Sequence, residues 1–369
     1  MKPERLTKVI KIGGFAHVHP VFTGGEHPIV IQTMYKDRLS MNEIDETVKK
    51  IESLQSLGCG LLRFAVPDIQ SAEIFGRLCE MASMPLVADI HFDYKIALRC
   101  MDFPVSKIRI NPGNIGDKNK IKAVLQKASA GNIPIRIGVN AGSLPQDLRK
   151  RVDGKEMEPC EALVQAAERE IAIFNEFGFN EFLVSMKACT IADNIKAGRI
   201  LSRRTDAPLH IGVTEAGPLT AGVARNTAAI LTLLCEGIGD TIRVSLSDTM
   251  ENEVIAGREI IAAACQITPD NERLKKRGVN IVSCPRCGRH SFDTLAFTNR
   301  WMHKLYAMDK DITVAVMGCE VNGPVEAKHA SLGITGTGDK VLIFKNGKVI
   351  RTIAAGEADQ VFPEELDRL

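Results

Sequence analysis

The run Arg136-Ile137-Gly138-Val139-Asn140 alternates polar or small residues with aliphatic ones. Successive side chains on a β-strand point to opposite faces, so this run predicts a strand with one polar and one aliphatic face. The same alternation recurs at four other places: Asp89-Ile90-His91, Arg109-Ile110-Asn111, Ser185-Met186-Lys187 and Arg243-Val244-Ser245-Leu246-Ser247. At least five strands of this chain are therefore expected to carry a polar face.

These strands belong to a predicted series of eight. The strand candidates are residues 28–34, 60–66, 85–91, 107–111, 134–140, 182–188, 209–214 and 241–247. Helical patterns accompany them at residues 41–56, 71–82, 93–101, 118–130, 161–177, 191–202, 222–236 and 251–264. Alternating strands and helices predict a parallel sheet, and eight repeats in about 250 residues predict a closed (β/α)8 TIM barrel of the α/β class.

The residues outside the eight repeats complete the predicted organisation. Residues 7–25, with glycine pairs at 13–14 and 24–25, predict a short hairpin that plugs the bottom of the barrel. The pattern breaks at Thr268-Pro269-Asp270-Asn271, so we expect a barrel domain over residues 1–266 and a smaller α+β domain over residues 267–369. Within that second domain, Asn346-Gly347 predicts a type I′ hairpin turn.

The polar strand faces predict an unusual barrel interior. The surrounding helices need the aliphatic faces, so the polar residues point into the lumen, which barrels ordinarily fill with branched apolar side chains. Unpaired buried cations are costly, and arginine forks bind phosphate oxygens bidentately. Arg109, Arg136 and Arg243 therefore indicate a polyanionic ligand, with buried ion pairs to Asp89 as the alternative. Further donors are expected from Arg63, Asn111, Asn140 and Ser245.

A lone carboxylate, Glu215, ends the seventh predicted strand. Among so many cations it either balances charge or acts as a general acid or base. The spacing of the sequence leaves both roles open.

Three of the ten cysteines lie in predicted loops. Cys284 and Cys287 form a CxxC turn, and Cys319 follows an apolar strand in a Gly/Pro-rich loop. Three thiolates need a fourth ligand, for which the candidates are Glu326, His329 and His290. The spacing fits structural zinc or an iron–sulfur cluster. Small buried thiols are expected at the other seven positions: Cys59, Cys79, Cys100, Cys160, Cys189, Cys235 and Cys265.

Composition argues against several classes of protein. A formal net charge of +2 and 5% aromatic residues disfavour a nucleic-acid-binding surface. No run reaches the roughly 18 apolar residues of a membrane span, and the N-terminal residues lack the apolar core of a signal peptide. We therefore expect a cytoplasmic protein without a membrane or nucleic-acid partner.

Across essentially its whole length the chain resembles the 4-hydroxy-3-methylbut-2-enyl diphosphate synthases of the non-mevalonate isoprenoid pathway, in their two-domain bacterial form. Both cysteine motifs carry the resemblance. It is also carried by IQTM at 31–34, ADIHFDY at 88–94, KIRINPGNIG at 107–116, RIGVNAGSL at 136–144 and VTEAG at 213–217.

The resemblance implies a reaction, the two-electron reductive ring opening of 2-C-methyl-D-erythritol 2,4-cyclodiphosphate with loss of water. It implies a 4Fe–4S cluster, held by Cys284, Cys287, Cys319 and Glu326 and supplied with single electrons by a flavodoxin or ferredoxin. Glu215 would assist proton transfer to the leaving oxygen. The substrate-binding residues that it implies are Arg63, Asp89, His91, Arg109, Asn111, Arg136, Asn140, Lys187, Arg243 and Ser245.

Three places depart from the family pattern. Tyr35-Lys36-Asp37-Arg38 stands where the family has a Thr/Asn-rich loop, and Arg286 stands where a small residue is common in the CxxC turn. Val325 stands where glycine usually precedes the acidic ligand. A β-branched residue disfavours positive φ, so the loop that presents Glu326 is expected to differ.

The predicted domain order bears on assembly. The eighth helix returns the chain to the end of the barrel opposite the mouth, so residue 267 starts roughly 20–25 Å from the substrate. A closed two-fold homodimer, in which each cysteine-bearing domain caps the partner's barrel, removes this difficulty, and the resemblance implies the same arrangement. The alternative function is a barrel lyase or transferase on a phosphorylated metabolite with a structural zinc domain. A zinc-ribbon nucleic-acid module is disfavoured by the charge.

Overall fold

The computed structural model describes residues 5–15, 17–275, 278–319 and 327–369. The chain divides into two compact units, residues 1–276 and 277–369. Among the described residues, no helix combines the length and the apolar character that crossing a bilayer requires.

The first unit contains a small hairpin and an eight-stranded parallel sheet. The hairpin consists of β1 (Ile10–Ile12) and β2 (Val21–Thr23). The sheet consists of β3 (Val30–Met34), β4 (Leu61–Ala65), β5 (Leu86–Ile90), β6 (Lys107–Ile110), β7 (Ile135–Asn140), β8 (Phe182–Lys187), β9 (His210–Ile211) and β10 (Thr241–Ile242). Its strand order is β8-β7-β6-β5-β4-β3-β10-β9, and a parallel bridge from Val184 to Leu209 joins β8 to β9. The predicted TIM barrel is therefore confirmed.

Helices follow the strands, and several carry the caps that their sequences supply. They are α1 (Ile44–Ser56), α2 (Ile69–Met81), α3 (Tyr94–Cys100), α4 (Pro112–Ile115), α5 (Lys118–Ala130), α6 (Gln146–Asp153), α7 (Pro159–Glu176), α8 (Ile191–Leu201), α9 (Leu219–Cys235) and α10 (Met250–Ile267). The side chains of Asp68, Asp117 and Thr249 accept hydrogen bonds from backbone N–H groups in the first turns of α2, α5 and α10. Such caps satisfy donors that a helix N-terminus leaves free.

Strands β9 and β10 are shorter than the sequence predicts because helix side chains replace the strand ladder. Beyond β9, the Val213 N–H donates to Asn226 Oδ1. Beyond β10, the Ser245 carbonyl accepts from Asn226 Nδ2, and the Leu246 N–H donates to the Glu253 carboxylate. These side chains therefore satisfy backbone groups beyond the ends of the two strands, and they tie the two loops to α9 and α10.

The hairpin closes the lower end of the barrel with apolar side chains, as the sequence predicts. Ile10 and Ile12 of β1 form one buried cluster with residues from the lower halves of four barrel strands. Those residues are Val30, Leu61, Val87 and Leu183. The lumen therefore has an apolar floor at this end.

The segment after α10 stays on the first unit. Arg273 is buried, forms an ion pair with Asp240 at 2.7 Å and donates to the carbonyl oxygens of His27 and Gly239. His27 and Asp240 directly precede β3 and β10, so this contact lies at the floor end of the barrel. The sequence places the domain boundary between residues 266 and 267, whereas the structure divides the chain after residue 276 because of these contacts.

Over its described residues, 278–319 and 327–369, the second unit contains a mixed five-stranded sheet and two α-helices, which confirms the predicted α+β class. Its elements are β11 (Asn280–Ser283), α11 (Thr294–Tyr306), β12 (Thr313–Met317), β13 (Leu332–Thr337), β14 (Lys340–Lys345), β15 (Lys348–Ala354) and α12 (Ala358–Asp367). β11, β12 and β13 are parallel, and β14 and β15 are antiparallel additions. Asn346 and Gly347 both have positive φ, as a type I′ turn requires.

Candidate active site

The barrel interior above the apolar floor is cationic. The side chains of Arg109 and Arg136 are buried on adjacent strands, directly opposite each other in the β6–β7 register. Lys107 on β6 and Lys187 on β8 are buried as well. These residues are only 0–7% exposed, so water does little to screen the repulsion between them.

Asp89 is the main counter-charge near the mouth. Its carboxylate lies 3.0 Å from Arg109 Nη1, 3.2 Å from His91 Nε2 and 3.7 Å from Arg63 Nε. Burial alone would raise the pKa of Asp89, but Arg63, the His91 hydrogen bond and Arg109 together lower it well below its usual range. Asp89 is therefore a charged anchor that orients its cationic neighbours.

The cations outnumber their partners, and several of their N–H groups are left free. Arg136 Nε and Nη1, Arg109 Nε and Arg63 Nε are buried without a hydrogen-bond partner among the described residues. Burial and the positive charges of Arg63 and Arg109 lower the pKa of Arg136 far below its normal value. Burial, Arg243 and Arg136 do the same to the pKa of Lys187. Such a site favours an anion, because an anion relieves both the repulsion and the unpaired donors.

A glycine makes room for one of these guanidinium groups. A Cβ atom at Gly138 would lie 2.4 Å from Arg109 Nε and 2.6 Å from Arg109 Nη2. Since real Cβ atoms do not approach other atoms so closely, any larger residue at this position would displace the Arg109 head group. The small residue in the alternating run of β7 is therefore part of the cationic site.

Neutral donors lie at the barrel mouth beyond these charges. Asn111, which follows β6, donates to Ser143 Oγ at 3.2 Å, and Ser143 Oγ is 3.3 Å from the Asn140 carbonyl. Ser245 is half-buried in the loop after β10, and His91 is nearly half-exposed after β5. These residues follow the carboxyl ends of four different strands, where barrel enzymes assemble their active sites.

Glu215 is exposed and has φ of +53°, in the left-handed region. The Cys189 thiol donates to its carboxylate, with Sγ 3.3 Å from Oε2. Cys189 is itself exposed, so the expectation of a buried thiol is wrong at this position. It holds for Cys59, Cys79, Cys100 and Cys160, which are buried in the barrel, whereas Cys235 and Cys265 are intermediate.

Besides the buried Lys107, Glu253 and Met34 contribute to the site without having been predicted from the sequence. Glu253 in the first turn of α10 is buried and forms a two-point contact with Arg243, at 3.3 Å from both Nε and Nη2. Met34 Sδ lies 2.7 Å from Arg63 Nη2 and 3.7 Å from Arg243 Nη1. An acidic residue in the first turn of a helix is ordinarily exposed and interacts with the helix dipole. The sequence around Glu253 therefore gave no indication that it is buried in the site.

The loop cysteines of the second unit follow neighbouring parallel strands. The Cys284 N–H donates to the Val316 carbonyl, and the Ser291 N–H donates to the Gly318 carbonyl at 2.8 Å, which joins the CxxC turn to the loop before Cys319. Hydroxyl groups hold the two backbones, since Thr294 Oγ1 donates to the Cys284 carbonyl and Thr335 Oγ1 to the Cys319 carbonyl.

The donor set of these loops fits a soft metal centre. Cys287 is exposed, and a backbone hydrogen bond from Arg289 lowers the pKa of its thiol, which favours the metal-binding thiolate. All ten cysteines are free of disulfides. Within the described residues, no three His, Cys, Asp or Glu side chains are already gathered in metal-binding geometry. Val325 and Glu326 lie outside the described residues. His290 Nδ1 is 2.7 Å from the Cys287 carbonyl, and His329 is exposed.

Comparison with known proteins covers both units. Residues 13–258 match the GcpE TIM-barrel domain, and residues 280–368 match the GcpE protein C-terminal domain. The 4-hydroxy-3-methylbut-2-en-1-yl diphosphate synthase (flavodoxin) of Treponema pallidum is 48% identical over 374 residues, covering 97% of this chain and 91% of that protein. The protein of the same name from Treponema denticola is 46% identical over 395 residues, covering 100% of both chains.

A more distant protein of that name, from Caldicellulosiruptor saccharolyticus, is 43% identical over 348 residues and covers 94% of each chain. Family matches to both units and relatives that align along the whole chain show that this protein belongs to the GcpE family, the 4-hydroxy-3-methylbut-2-en-1-yl diphosphate synthases (flavodoxin), and is an oxidoreductase of isoprenoid biosynthesis.

Proposed function

We propose that the cationic lumen binds 2-C-methyl-D-erythritol 2,4-cyclodiphosphate, and that the protein opens this ring by two-electron reduction with loss of water. The single observation that carries the proposal is the set of free, buried N–H groups on Arg136, Arg109 and Arg63. A cyclic diphosphate offers phosphate oxygens to such donors at close range, and arginine forks match their geometry.

The other residues of the lumen have distinct roles in this proposal. Asp89 holds Arg63 and Arg109 in place through its ion pairs, while Lys187 and Arg243 add charge around the phosphates. Asn111, Asn140, Ser245 and His91 hydrogen-bond the hydroxyl groups and outer phosphate oxygens. Water is excluded on the floor side by the apolar cluster beneath, so these contacts act in a low-dielectric site.

Glu215 serves proton transfer to the leaving oxygen. It stands at the barrel mouth, is exposed to a ligand and carries a thiol donor that keeps its carboxylate oriented. A carboxylic acid in this position can protonate a departing hydroxyl group, so that it leaves as water.

The residues that would hold a redox group are Cys284, Cys287 and Cys319, with Glu326 as the fourth ligand. Three thiols on adjacent strand ends, one of them with a lowered pKa, have the chemistry that a 4Fe–4S cluster requires. When bound, such a cluster supplies the two electrons one at a time, from a flavodoxin or ferredoxin. A carboxylate ligand exchanges more readily than a thiolate, which would leave one iron accessible to substrate.

We further propose a cytoplasmic homodimer with active sites shared between subunits. In the first unit the chain leaves α10 at the floor end, where Arg273 contacts Asp240, opposite the mouth with its phosphate-binding residues. A cysteine-bearing domain of the partner subunit would supply the electrons at each mouth in a closed two-fold assembly. Mixing Arg136→Ala subunits with Cys319→Ser subunits should then restore roughly a quarter to a half of the activity in random heterodimers. Two inactive parents that stay inactive after verified subunit exchange would contradict the shared site.

The rival function, a lyase or transferase with structural zinc, has less support, because full-length relatives carry the synthase name. The decisive test is an anaerobic assay of the reconstituted protein with the cyclic diphosphate and a chemical reductant. We expect a brown protein that produces hydroxymethylbutenyl diphosphate. A colourless zinc protein without turnover would exclude the proposal. Calorimetry with pyrophosphate tests the anion site separately, and absence of binding to the wild type would refute it.

A further inference from the structure

In the loop Tyr35-Lys36-Asp37-Arg38, which departs from the family pattern, the Lys36 side chain contacts the loop after β10 and helix α10. Lys36 Nζ lies 3.1 Å from Glu253 Oε1 and donates to the Leu246 carbonyl at 3.0 Å and to the Asp248 carbonyl. Lys36 comes just after β3, and its partners lie in the loop after β10 and in α10. The contact therefore joins two neighbouring loops of the barrel mouth.

Glu253 is the centre of this connection. Besides Lys36 and Arg243, its carboxylate accepts from Thr33 Oγ1 and from the Leu246 N–H. Burial alone would raise the pKa of Glu253, but Arg243, the Thr33 and Leu246 hydrogen bonds and Lys36 together lower it. The carboxylate is therefore ionised and holds β3, the loop after β10 and the Arg243 guanidinium in one arrangement.

We propose that Lys36 and Glu253 are positioning residues for anion binding at the barrel mouth: Glu253 orients Arg243, and Lys36 couples the loop after β3 to the loop that carries Ser245. This inference rests on the proposed function, in which Arg243 and Ser245 contact the substrate. Neither Lys36 nor Glu253 needs to touch the substrate to act. Loss of either is expected to loosen both loops together, because the Glu253 carboxylate binds Lys36 of one loop and the Leu246 N–H of the other, and Lys36 also donates to the Leu246 carbonyl.

The chain offers a matched control for Lys36. Lys50 on α1 forms ion pairs with Asp37 of the same loop, at 3.6 Å, and with Glu46, at 3.4 Å. Its side chain is 39% exposed, compared with 30% for Lys36. Replacing Lys50 therefore removes a comparable ion pair from this loop without touching Glu253 or the loop after β10.

The test compares the full-length holoprotein with its Lys36→Met, Lys36→Arg, Glu253→Gln and Lys50→Met variants. Hydrogen exchange of peptides covering residues 35–38 and 243–248 is the first readout. We expect Lys36→Met and Glu253→Gln to accelerate exchange in both segments, Lys36→Arg to restore protection, and Lys50→Met to leave residues 243–248 unchanged. Unchanged exchange at residues 243–248 in Lys36→Met would overturn the inference.

Pyrophosphate affinity and substrate kinetics form the second readout. Lys36→Met should weaken pyrophosphate binding and raise KM by roughly three- to tenfold, with kcat within about twofold of wild type. A fall in kcat at unchanged KM would contradict a positioning role. If the wild type does not bind pyrophosphate, the proposed function fails, whereas the exchange experiment still decides whether the two loops are coupled.

Discussion

The barrel and the cysteine-bearing unit present their functional groups in opposite ways. In the barrel the charged groups lie on strands, are almost fully buried and are held by fixed partners such as Asp89 and Glu253. In the second unit the thiols lie on loops beyond strand ends, and Cys287 is exposed. The proposed phosphate site is thus formed before its ligand binds, whereas the proposed metal site would be completed by its metal.

The difference has an energetic origin. The barrel holds like charges whose burial and mutual repulsion lower their pKa values, so we expect a bound anion to stabilise the fold. In the described part of the cysteine loops, the Thr294 and Thr335 hydroxyl groups hold the backbone carbonyls of Cys284 and Cys319. Binding free energy should therefore appear as lower repulsion in the barrel and as new metal–thiolate bonds in the second unit.

The largest effect is expected from the cysteines. Replacing Cys284, Cys287 or Cys319 with serine should abolish iron binding and turnover and destabilise mainly the second unit, because each removes a thiolate ligand. Glu326→Ala should retain part of the iron while losing most turnover. Cys265→Ser in α10 is the control and should keep both. Iron content and anaerobic turnover are the measurements, and full activity in all four ligand variants would break the assignment.

Substitutions in the barrel lumen should weaken anion binding and leave the metal content unchanged. Arg136→Ala removes charge-assisted hydrogen bonds worth about 1.5–3 kcal/mol, so pyrophosphate binding should weaken by roughly ten- to a hundredfold. Arg204, in an exposed ion pair with Glu168, provides the control, since Arg204→Ala removes the same charge from the surface. Calorimetry measures both. Equal losses in the two variants would mean that net charge, not the buried site, binds the anion.

Gly138→Ala tests whether the barrel site is rigid, as its difference from the cysteine loops implies. Gly138→Ala leaves every charge in place but pushes the Arg109 head group aside, so we expect pyrophosphate affinity to fall by roughly three- to thirtyfold. The unfolding midpoint should fall as well, because the displaced guanidinium group is buried and paired with Asp89. Gly142→Ala, with no atom within 4 Å of the added carbon, is the matched control. Unchanged affinity in Gly138→Ala would show an adaptable site.

The last effect is on the pH dependence of stability, not on binding or turnover, and it concerns a buried acid of the barrel wall. Burial raises the pKa of Glu170 to about 7, although a hydrogen bond from Gly113 opposes this, and its Oε2 has no described hydrogen-bond partner. Because the unfolded carboxyl ionises near pH 4.3 while the folded one keeps its proton, stability falls as pH rises from about 4 to 7 and is level above that. The loss should be roughly 2–4 kcal/mol.

Glu170→Gln should remove most of this loss, so that urea unfolding of the variant differs less between pH 5 and pH 8 than that of the wild type. The control is Glu176→Gln on the same helix, where the carboxylate is exposed and paired with Lys118. It should follow the wild-type pH dependence. A Glu170→Gln variant with an unchanged pH slope would contradict the burial argument.

The sequence by itself determined the architecture and most of the candidate site. The alternation of polar and aliphatic residues in runs such as 136–140 depends only on strand geometry, so it identified the lumen-facing residues, including Arg109 and Arg136, before any contact was known. The cysteine turn and the Asn346-Gly347 hairpin are likewise local signals. The repeat of strand and helix, which requires a parallel sheet, predicted the barrel.

Only the tertiary structure decided which of these residues meet. Lys36 and Asp248 are 212 positions apart, and Glu253 lies in a helix whose sequence shows no reason for burial. Likewise, β9 and β10 end early because side chains from α9 and α10 bond their loops. Periodicity specifies the face on which a side chain lies, whereas the identity of its partner depends on the stagger of strands around a closed barrel and on loops from distant repeats.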